Sequence, residues 1–399
     1  MPENESWLSA GVVSVGAASF FSDSGHEIAT ALLPSFLISV LHSSAGARGI
    51  IEGLSDALVG VMKLVTGPLA NDATRRRRLA TGGYIGTAVA TGALGLATAV
   101  WQVVILRALA WMARGLRSSA RDALLSSLAP SKAYGRAFGV ERAGDNLGAV
   151  VGPLAAAGLV RWIRIRPAIW CAAIPGVLAA ANITVAAVAA VEAHRLPVPE
   201  RRRSALHLRK LRQAGLMGPM LPIIFFKCGN TAVTLLILPA TQLLHADGRS
   251  LVTATSLAIV IYAGHNMAAA AFAGGHWIDR SSPRAAFATG AALYVLAYDG
   301  FAFGPRAWPL LLAAFVLAGC GIGLSETSES ALVAGAVPDH LRGSAFGVLG
   351  GVQAAGDVLS SVTVGLLYDA VSPAVAFAYA AGWMGLSLGA SSLLHASRR

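Results

Sequence analysis

Charged residues are scarce in this sequence for its length. Asp, Glu, Lys and Arg make up 13% of its 399 residues, while 55% are hydrophobic. A water-soluble chain carries about 25% charged residues. The shortage leaves too little polar surface for a large soluble domain. It indicates that lipid, rather than water, surrounds most of the chain.

Several signatures of other protein classes are also absent. The three cysteines, Cys171, Cys228 and Cys320, fall in apolar stretches without metal-knuckle spacing, so no disulfide framework is expected. No Gly-x-x-x-x-Gly-Lys-Ser/Thr loop occurs, which argues against ATP hydrolysis by this chain. No nucleic-acid motif accompanies the net charge of +11. We therefore expect no enzyme activity, no cofactor and no nucleic-acid partner, and we assign the basic residues to loops that face anionic lipid.

Long apolar stretches occupy the chain instead. Most of them reach the ~20 residues with which a helix crosses a bilayer. They lack the alternation of barrel strands, so each is predicted to be a helix whose backbone groups are satisfied internally. Twelve spans are predicted, near residues 10–40, 50–69, 79–100, 102–128, 137–160, 168–190, 217–244, 250–277, 285–303, 308–336, 344–368 and 372–394.

The basic residues predict how these spans are oriented. Eighteen Lys and Arg fall in segments on one side, among them residues 75–78, 191–215 and 398–399, and six fall on the other side. The side richer in Lys and Arg is expected to be cytoplasmic. We therefore predict a monomeric, multi-pass protein of the plasma (inner) membrane with both termini in the cytoplasm.

One long polar segment divides the chain into two halves with six predicted spans each. The predicted parts are an N-terminal bundle at residues 1–190, a basic cytoplasmic linker at 191–215, and a C-terminal bundle at 216–399. An even number of spans returns the chain to the same side of the membrane. The two bundles are therefore predicted to be parallel repeats.

The two halves also repeat each other in sequence. Residues 115–148 align without a gap on residues 323–356 at an offset of 208, with a shared Ala-Phe-Gly-Val segment. The same offset pairs Asn71 with Asp279. Two matching halves in so apolar a chain are typical of two-bundle membrane transporters.

Short motifs narrow this class further. Gly275–Arg280, between the eighth and ninth spans, reads Gly-x-x-x-Asp-Arg, and residues 67–76 are a weaker copy between the second and third spans. The fifth span carries glycines at 144, 148 and 152, followed by Pro153. These motifs resemble the loops of the major facilitator superfamily and the Gly-x-x-x-Gly-Pro segment of its drug–proton antiporters. The resemblance covers nearly the whole chain and implies an all-α membrane protein with twelve transmembrane helices in two pseudo-symmetric six-helix bundles.

The resemblance also implies that the loop residues form gates, which open and close as the two bundles rock against each other. The expected gate residues are Asp279 and Arg280 in one loop, and Asn71 and Asp72 in the other. Asn71 stands where the family's loop carries aspartate. Either Asp72 takes that role through a shifted turn, or this gate is weakened.

Three ionisable residues share one face of the first span. Asp23, His26 and Glu27 follow the i, i+3, i+4 spacing of a helix. Charges at membrane depth cost about 3 kcal/mol or more unless paired, so each is a functional candidate. Two neighbouring carboxylates favour a proton on one of them, and an imidazole exchanges protons near neutral pH. We expect this cluster to carry a coupling proton, with a packing salt bridge to an arginine of another span as the alternative.

A metal site is a further alternative for the same residues. An offset of 205 pairs Asp23 with Cys228. The resemblance implies that the first and seventh helices both face a central cavity. Asp23, His26, Glu27 and Cys228 would then converge on a divalent transition-metal ion, for which such ligands are suited, and the protein would export that metal.

Basic residues of the fourth span correspond to acidic residues of the tenth. Arg114, Arg117 and Arg121 form a stripe at i, i+3 and i+7, and the offset of 208 places Arg121 on Glu329, one turn after Glu326. Either the stripe pairs with these acids to close the cytoplasmic end, or its guanidinium groups bind an anionic substrate. We expect pairing. Asp145 and Asp357 are expected to extend this gating network with Arg117 and Arg121.

These expectations combine into one leading function. We predict a secondary transporter that moves a small molecule or ion by alternating access, with protons as the coupling ion and efflux as the direction. The substrate is expected to contact Arg114, Lys227, Glu326 and Glu329. A receptor or scaffold without transport is the alternative from another class, although such a role would not require charges on so many spans.

Overall fold

The computed structural model describes residues 7–41, 58–194, 206–303 and 308–396, which form helices and no β-strand. The helices are α1 (Ala10–Ser39), α2 (58–66), α3 (Ala73–Ala93), α4 (Val100–Leu128), α5 (Tyr134–Trp162), α6 (Ile165–Cys171), α7 (Ala173–His194), α8 (Leu208–Gln213), α9 (Met217–Gly229), α10 (Val233–Ala246), α11 (Leu251–Phe272), α12 (His276–Arg280), α13 (Pro283–Ala302), α14 (Trp308–Ala336), α15 (Asp339–Ala370) and α16 (Pro373–Ala396).

The all-helical membrane fold predicted from the sequence is confirmed. Within the described ranges, eight helices are long and apolar enough to cross a bilayer, and α2, α9 and α10 belong to shorter apolar helices. The count of twelve spans stays a prediction, because residues 50–57 of the second predicted span lie outside the described residues. Residues 195–205 of the predicted linker lie outside them as well.

The seventh predicted span is wrong as a single helix, because residues 230–232 separate α9 from α10. The backbone N–H groups of Thr231 and Ala232 donate to Tyr298 Oη of α13 and Ser361 Oγ of α15, at 3.2 and 3.0 Å. Since neighbouring helices supply these acceptors, the backbone can leave the helix inside the membrane without unsatisfied groups. Hydropathy along one segment does not report partners on other segments, and so it predicts a continuous helix.

The helices pack mostly within two groups. In the first group, α1 packs on α5 and α7, and α3 packs on α4 and α7. In the second group, α13 packs on α14 and α16, α11 packs on α14, and α9 packs on α15 and α16. Contacts between the groups run from α4 and α5 to α11, α14 and α15. The first group comes from residues 10–194 and the second from residues 217–396.

Glycines allow α1 and α5 to approach closely. A Cβ atom at Gly148 would lie 2.6 Å from the Phe20 carbonyl oxygen and 3.0 Å from Asp23 Cβ, and the other two glycines of the stripe are just as close to α1. The close approach expected from glycines at every fourth position is therefore confirmed. Gly356, which matches Gly148 in the repeat, makes the equivalent contact between α15 and α9, where its Cβ would lie 2.5 Å from Lys227 Cβ.

A pseudo-two-fold axis passes between α5 and α15. Phe138 and Phe346, which are related by the offset of 208, have ring centroids 5.8 Å apart. Tyr134 and Arg342 are related by the same offset, and Arg342 Nη2 donates to Tyr134 Oη at 2.6 Å. Residues related by a two-fold axis contact each other only near that axis. The matching segments of the two halves therefore meet at this axis.

We expect Gly148→Val to destabilise the protein, because the added side chain has no space against α1. Overpacking of this kind costs about 1–3 kcal/mol, so the thermal unfolding midpoint of the purified protein in detergent should fall by several degrees. Gly158→Val on the same helix is the matched control, since a Cβ atom there meets nothing within 4 Å. Equal midpoints for the two variants would contradict the close packing.

Candidate functional site

Acidic side chains of α1 and α5 surround Arg114 of α4. Arg114 Nη1 lies 2.8 Å from Asp23 Oδ1, and Nη2 donates to Asp23 Oδ2 at 3.1 Å, so the pair is bidentate. Asp145 is within side-chain hydrogen-bonding reach of Asp23, and Glu27 faces the charge of Arg114. The two acids of α1 that the sequence singles out therefore share one cluster with an arginine and a third acid.

Trp111 of α4 is the aromatic centre of this cluster. The His26 ring stands edge-on to Trp111, with centroids 4.8 Å apart. The guanidinium carbons of Arg107 and Arg114 lie 5.3 and 5.6 Å from the Trp111 ring centroid, and aromatic faces attract such cations. An aromatic residue in an apolar helix gives no functional signal by itself. The sequence does place Trp111 one helical turn from Arg107 and from Arg114, and this spacing indicates that the ring can contact both guanidinium groups.

The arginine stripe of α4 pairs within its own half. Arg121 Nη1 lies 2.6 Å from Glu141 Oε1, and Nη2 lies 2.9 Å from Asp122 Oδ1. Arg117 stacks on Tyr84, with its guanidinium carbon 3.9 Å from the ring centroid. Two of the three arginines therefore have acidic partners, but not the ones expected from the repeat. Those acids belong to α1, α4 and α5, however, and not to α14.

A chain of ion pairs crosses from one half to the other. Arg142 Nε of α5 lies 3.4 Å from Glu141 Oε2 and 3.9 Å from Glu326 Oε2 of α14. Beyond Glu326, Lys227 Nζ of α9 lies 3.7 Å from Glu326 Oε1 and 3.6 Å from Glu329 Oε1. The Glu141 and Glu329 side chains are fully buried, whereas the Glu326 side chain is 28% exposed. Glu326 is thus the acid of this central chain that has cations of both halves beside it.

The break between α9 and α10 adjoins this chain. Asn230 Nδ2, in the break, donates to Asp357 Oδ1 of α15 at 3.0 Å, and the Asp357 charge acts on Lys227. One turn before Asp357, Gln353 Nε2 donates to Glu329 Oε2 at 2.8 Å. The structure therefore brings Asp357 together with the candidate substrate-binding residues of the second half.

One gate joins the loop after α11 to the beginning of α5. Asp279 Oδ1 accepts from the Gly135 N–H at 2.7 Å, while Oδ2 accepts from the Arg136 N–H at 3.1 Å and from Arg136 Nε at 2.7 Å. A carboxylate is well suited to a helix N-terminus, where backbone N–H groups are free and the dipole is positive. Gly275 packs directly on Gly135 at this gate, and Trp7 lies over the Arg136 guanidinium, 4.9 Å from its carbon.

The matching gate joins the loop after α2 to the beginning of α15 through a neutral pair. Asn71 Oδ1 accepts from the Ser344 N–H at 2.9 Å, and Asn71 Nδ2 donates to Ser344 Oγ at 2.7 Å. Ser344 matches Arg136 at the offset of 208, as Asn71 matches Asp279. Charge is therefore missing from both partners together, and the contact is kept. The repeat alignment contains both replacements, Asn71 for Asp279 and Ser344 for Arg136. Only the first of them falls within the loop motif, so only that one is noticed from the motif.

Asp72 does not replace the aspartate of the family's loop. Its Oδ1 accepts from the N–H groups of Thr74 and Arg75 at 2.9 and 3.0 Å, so it is the N-cap of α3. The expectation of a shifted turn is wrong, because Asn71 itself occupies the gate. Arg280, at the end of α12, is exposed.

An ion pair one turn further along supplies charge at the neutral gate. Arg76 of α3 is 3% exposed, and its Nη1 lies 3.2 Å from Asp339 Oδ1 at the start of α15. Arg342 Nη1 lies 3.1 Å from the same oxygen and donates to the Ser126 carbonyl at 3.1 Å. The contacts of both expected gates are formed at this end of the molecule. We call this end the gate face, defined by Asn71, Arg76, Arg136, Asp279, Asp339 and Ser344.

A metal centre is not observed where the sequence allows one. Among the described residues, no three His, Cys, Asp or Glu side chains come close enough to hold a metal ion. The convergence of Asp23, His26, Glu27 and Cys228 is therefore wrong. Asp23 is instead paired with Arg114, and the His26 ring packs against an aromatic side chain.

Two helical groups with charges buried between them and paired gates at one end define a multi-pass membrane transporter. The chain belongs to the major facilitator superfamily, whose family model matches residues 15–264 and 220–398. Members of this family carry small molecules across membranes. Membership therefore supports a secondary transporter rather than an enzyme.

Proteins similar to this chain include the following two relatives and one solved structure. An uncharacterized transporter of the same family from Methanocaldococcus jannaschii is 25% identical over 381 residues, which covers 94% of this chain and 93% of the relative. The multidrug resistance protein MdtG of Proteus mirabilis is 25% identical over 169 residues, or 42% of each chain. The crystal structure of the human organic anion transporter MFSD10 has a TM-score of 0.70 at 18% identity, covering 96% of this chain and 99% of that one.

We expect Asp279→Asn to loosen the charged gate, because Arg136 loses its counter-charge and two backbone N–H groups lose a charged acceptor. Hydrogen–deuterium exchange at Gly135 and Arg136 should become about tenfold faster. Adding Arg136→Ser copies the neutral gate and should restore most of the protection. Exchange at Ser344 in the other gate is the internal control. Unchanged exchange at Gly135 and Arg136 in the single variant would contradict a gate held by Asp279.

Proposed function

We propose that this protein is a proton-coupled secondary transporter that exports a small solute, with Asp23, Glu27 and Asp145 as the proton-carrying groups. The bidentate pair between Arg114 and Asp23, with Asp145 alongside, is the observation that carries the proposal. Three carboxyl groups share the positive charge of one arginine at a depth where unpaired charge is costly. A proton can therefore move among them while Arg114 keeps an ionised carboxylate beside it.

Protonation of Asp23 is proposed as the step that rearranges the cluster. A neutral Asp23 no longer holds Arg114 through two ionic contacts, and Arg114 then has Asp145 and Glu27 within electrostatic range. The residues concerned come from α1, α4 and α5, and α5 packs closely along α1. A change of ionic partner would therefore alter the packing between these helices and link the proton to a conformational change.

His26 is proposed to position this cluster rather than to carry the proton. Its ring packs on Trp111, and its Nε2 lies 3.4 Å from Thr30 Oγ1. Arg107 Nη2 donates to the same hydroxyl at 2.9 Å. These contacts hold the imidazole within a packed set of side chains. We therefore propose the carboxyl groups, and not His26, as the proton carriers.

Of the four expected solute contacts, Arg114, Lys227, Glu326 and Glu329, the partly exposed Glu326 is proposed to meet the solute, with Lys227 beside it, while Arg114 and Glu329 are held by other partners. Glu326 is partly exposed, and its two cations lie 3.7 and 3.9 Å away, beyond hydrogen-bond distance. A solute that offers Glu326, Lys227 or Arg142 a better partner can therefore enter without breaking a short ion pair. Loss of the Glu326 bridge would also remove one of the contacts between the halves and leave the gate contacts, which would link solute binding to alternating access.

The gate face is proposed to lie at the cytoplasmic surface. Residues 75–78, together with Lys132 and Arg136, make this end rich in positive charge, as expected of cytoplasmic segments. With both gates closed here, solute would reach the central charges from the opposite side. Export rather than import is favoured by the resemblance of the α5 glycine stripe to drug–proton antiporters. The name of the Proteus mirabilis relative, a multidrug resistance protein, points the same way.

We expect Asp23→Asn to abolish solute-driven proton movement, because it keeps the side-chain shape and removes the ionisable group. Everted membrane vesicles that contain the protein are energised, and drugs, sugars and organic anions are added singly while a fluorescent dye reports the pH gradient. Any compound that dissipates the gradient through the unmodified protein is a transported solute. With that compound, Asp23→Asn should behave like vesicles without the protein.

Asp369→Asn is the matched control for this substitution, since Asp369 is exposed near the end of α15. The thermal unfolding midpoint of each variant establishes that it folds. Proton movement by Asp23→Asn equal to that of the unmodified protein would overturn the coupling role. No response to any solute under any gradient would favour the receptor alternative.

We expect Glu326→Gln to change the half-saturating solute concentration while leaving the unfolding midpoint nearly unchanged. Glu329→Gln should instead lower the midpoint by several degrees, because removing a fully buried partner of Lys227 leaves an uncompensated charge. Vesicle transport and thermal unfolding of both variants measure this difference. Equal effects of the two substitutions on both quantities would contradict a distinct solute-binding role for Glu326.

A further inference from the structure

Lys63 of α2 is a cation between the two halves that the proposed function does not use. It belongs to an apolar helix, and its side chain is partly buried. Lys63 Nζ donates to Gln353 Oε1 of α15 at 3.5 Å, which is long for a hydrogen bond. Among the described residues, Lys63 forms no ion pair. A lysine whose direct partner is neutral is costly at membrane depth, and it is therefore a functional candidate.

Small residues of α15 make room for this lysine. A Cβ atom at Gly350 would lie 2.8 Å from Lys63 Cβ, and a Cβ atom at Gly347 would lie 2.8 Å from the Lys63 carbonyl oxygen. Gly60, one turn earlier on α2, packs directly on Ala354 of α15. The stem of Lys63 therefore lies along a path of small residues, which leaves space for movement along the α15 axis.

Charges of the first half do not give Lys63 a close partner. Asp122 of α4 attracts it, but Arg121 Nη2 already lies 2.9 Å from Asp122 Oδ1. Arginines of the same half repel Lys63, and they are Arg114, Arg121 and Arg142. A carboxylate of the second half is therefore the more favourable partner for the Lys63 ammonium.

Asp357 is the next acid of α15 beyond Gln353. Gly350, Gln353 and Asp357 follow the i, i+3, i+7 spacing and therefore share one face of α15. The charge of Lys63 acts on Asp357, whose Oδ1 accepts from the neutral side chain of Asn230 at 3.0 Å. Gln353 and Asp357 are four residues apart, which is about 6 Å along a helix. A displacement of about one turn would therefore move the ammonium from the amide to the carboxylate.

The same two helices carry the neutral gate. Asn71 follows α2 in the chain, and it holds Ser344 of α15 through two hydrogen bonds. Separation of this gate contact requires α2 to move relative to α15, and Lys63 moves with α2. The partner of Lys63 therefore depends on whether the contact of the neutral gate is formed.

The repeat provides the other interface with a matching cation on the opposite helix. At the offset of 208, Lys63 corresponds to Ala271 of α11, and Gly350 corresponds to Arg142 of α5. Arg142 Nε has Glu326 Oε2 of the other half at 3.9 Å. Each interface therefore carries one cation. Within the described part of the chain, it is Arg142 that has an acidic partner across its interface in this conformation.

We propose that Lys63 exchanges the amide of Gln353 for the carboxylate of Asp357 when the halves change conformation, and that this ion pair stabilises the state in which the neutral gate contact is broken. Displacements of one helical turn between packed elements occur in such transitions. Lys63 is then a positioning residue that contacts no solute. The proposal rests on the alternating movement of the halves in the proposed function, but on neither its proton nor its solute.

The test measures hydrogen–deuterium exchange at Ser344 in the purified full-length protein in detergent. Lys63→Met removes the charge and keeps an unbranched side chain of similar length. We expect exchange at Ser344 to become about fivefold slower, because the state with the gate contact formed loses a costly charge and the other state loses an ion pair. Asp357→Asn should slow exchange as well. Lys63→Arg keeps the charge and should exchange like the unmodified protein.

A double variant, Lys63→Met with Asp357→Asn, distinguishes a direct pair from two independent effects. Asp357 also acts on Lys227, and a loss of that interaction would add to the effect of Lys63→Met. If Lys63 and Asp357 form a pair, the double variant should instead exchange like either single variant. Asp369→Asn is the matched control, since Asp369 is an exposed acid of the same helix. Lys63→Gln is the second neutral variant, with the same expected result if the methionine variant does not fold.

Slower exchange in both single variants, with no further change in the double variant, would support the exchange of partners. Faster exchange at Ser344 in Lys63→Met would overturn it, since the lysine would then hold the gate contact together through Gln353. Additive effects, or unchanged exchange in Asp357→Asn, would overturn it as well. These measurements use neither a gradient nor a solute, so their outcome is independent of the Asp23→Asn vesicle assay that tests the proposed function.

Discussion

Pairing of charges between helices inside the membrane is the constraint on which the rest of this structure depends. An isolated charge at membrane depth costs about 3 kcal/mol or more. Arg114 and Arg121 therefore need partners, and they find them at 2.8 and 2.6 Å on α1 and α5. The glycine stripe of α5 makes this pairing geometrically accessible, because it lets the backbones of α1 and α5 touch. In the first half, the pairing of charges therefore depends on the close packing of α1 and α5.

The two gates show which part of a gate contact is indispensable. Asp279 accepts from two amides in the first turn of α5, whereas Asn71 accepts from the N–H of Ser344, the sixth residue of α15. Only the first adds an ion pair with the helix, and the second keeps its contact because Ser344 stands where the other gate has Arg136. A side-chain oxygen that accepts a backbone N–H of the facing helix is therefore common to both gates. The accompanying ion pair differs in position: it is Arg136 with Asp279 itself at one gate, and Arg76 with Asp339, one turn away from Asn71, at the other.

The sequence predicts the fold well and the partners of the site less well. Apolar length, charge placement and the repeat at an offset of 208 predict the helices and the two halves, and the glycine spacing predicts the close approach at Gly148. All of these signals are present in the sequence without knowledge of which helices touch. The break at residues 230–232 depends on acceptors from α13 and α15, which no local pattern contains. The partner of Arg121 is missed for the same reason. Symmetry suggests an acid on α14, whereas the nearest carboxylate in space is Glu141 on α5.

The ion pairs of this molecule are either short or long, and this difference affects how the two halves can move. In the first half, ion pairs are short and buried, so its helices are held together as a unit. Across the centre, Arg142 and Glu326 are 3.9 Å apart, and Glu326 remains partly solvated. At the gate face the halves are again joined by short contacts, of which Arg136 to Asp279 measures 2.7 Å. Relative motion of the halves therefore meets its main resistance at the gates. Under the proposed function, the weak central bridge is the place where a solute can shift the balance with the least interaction to replace.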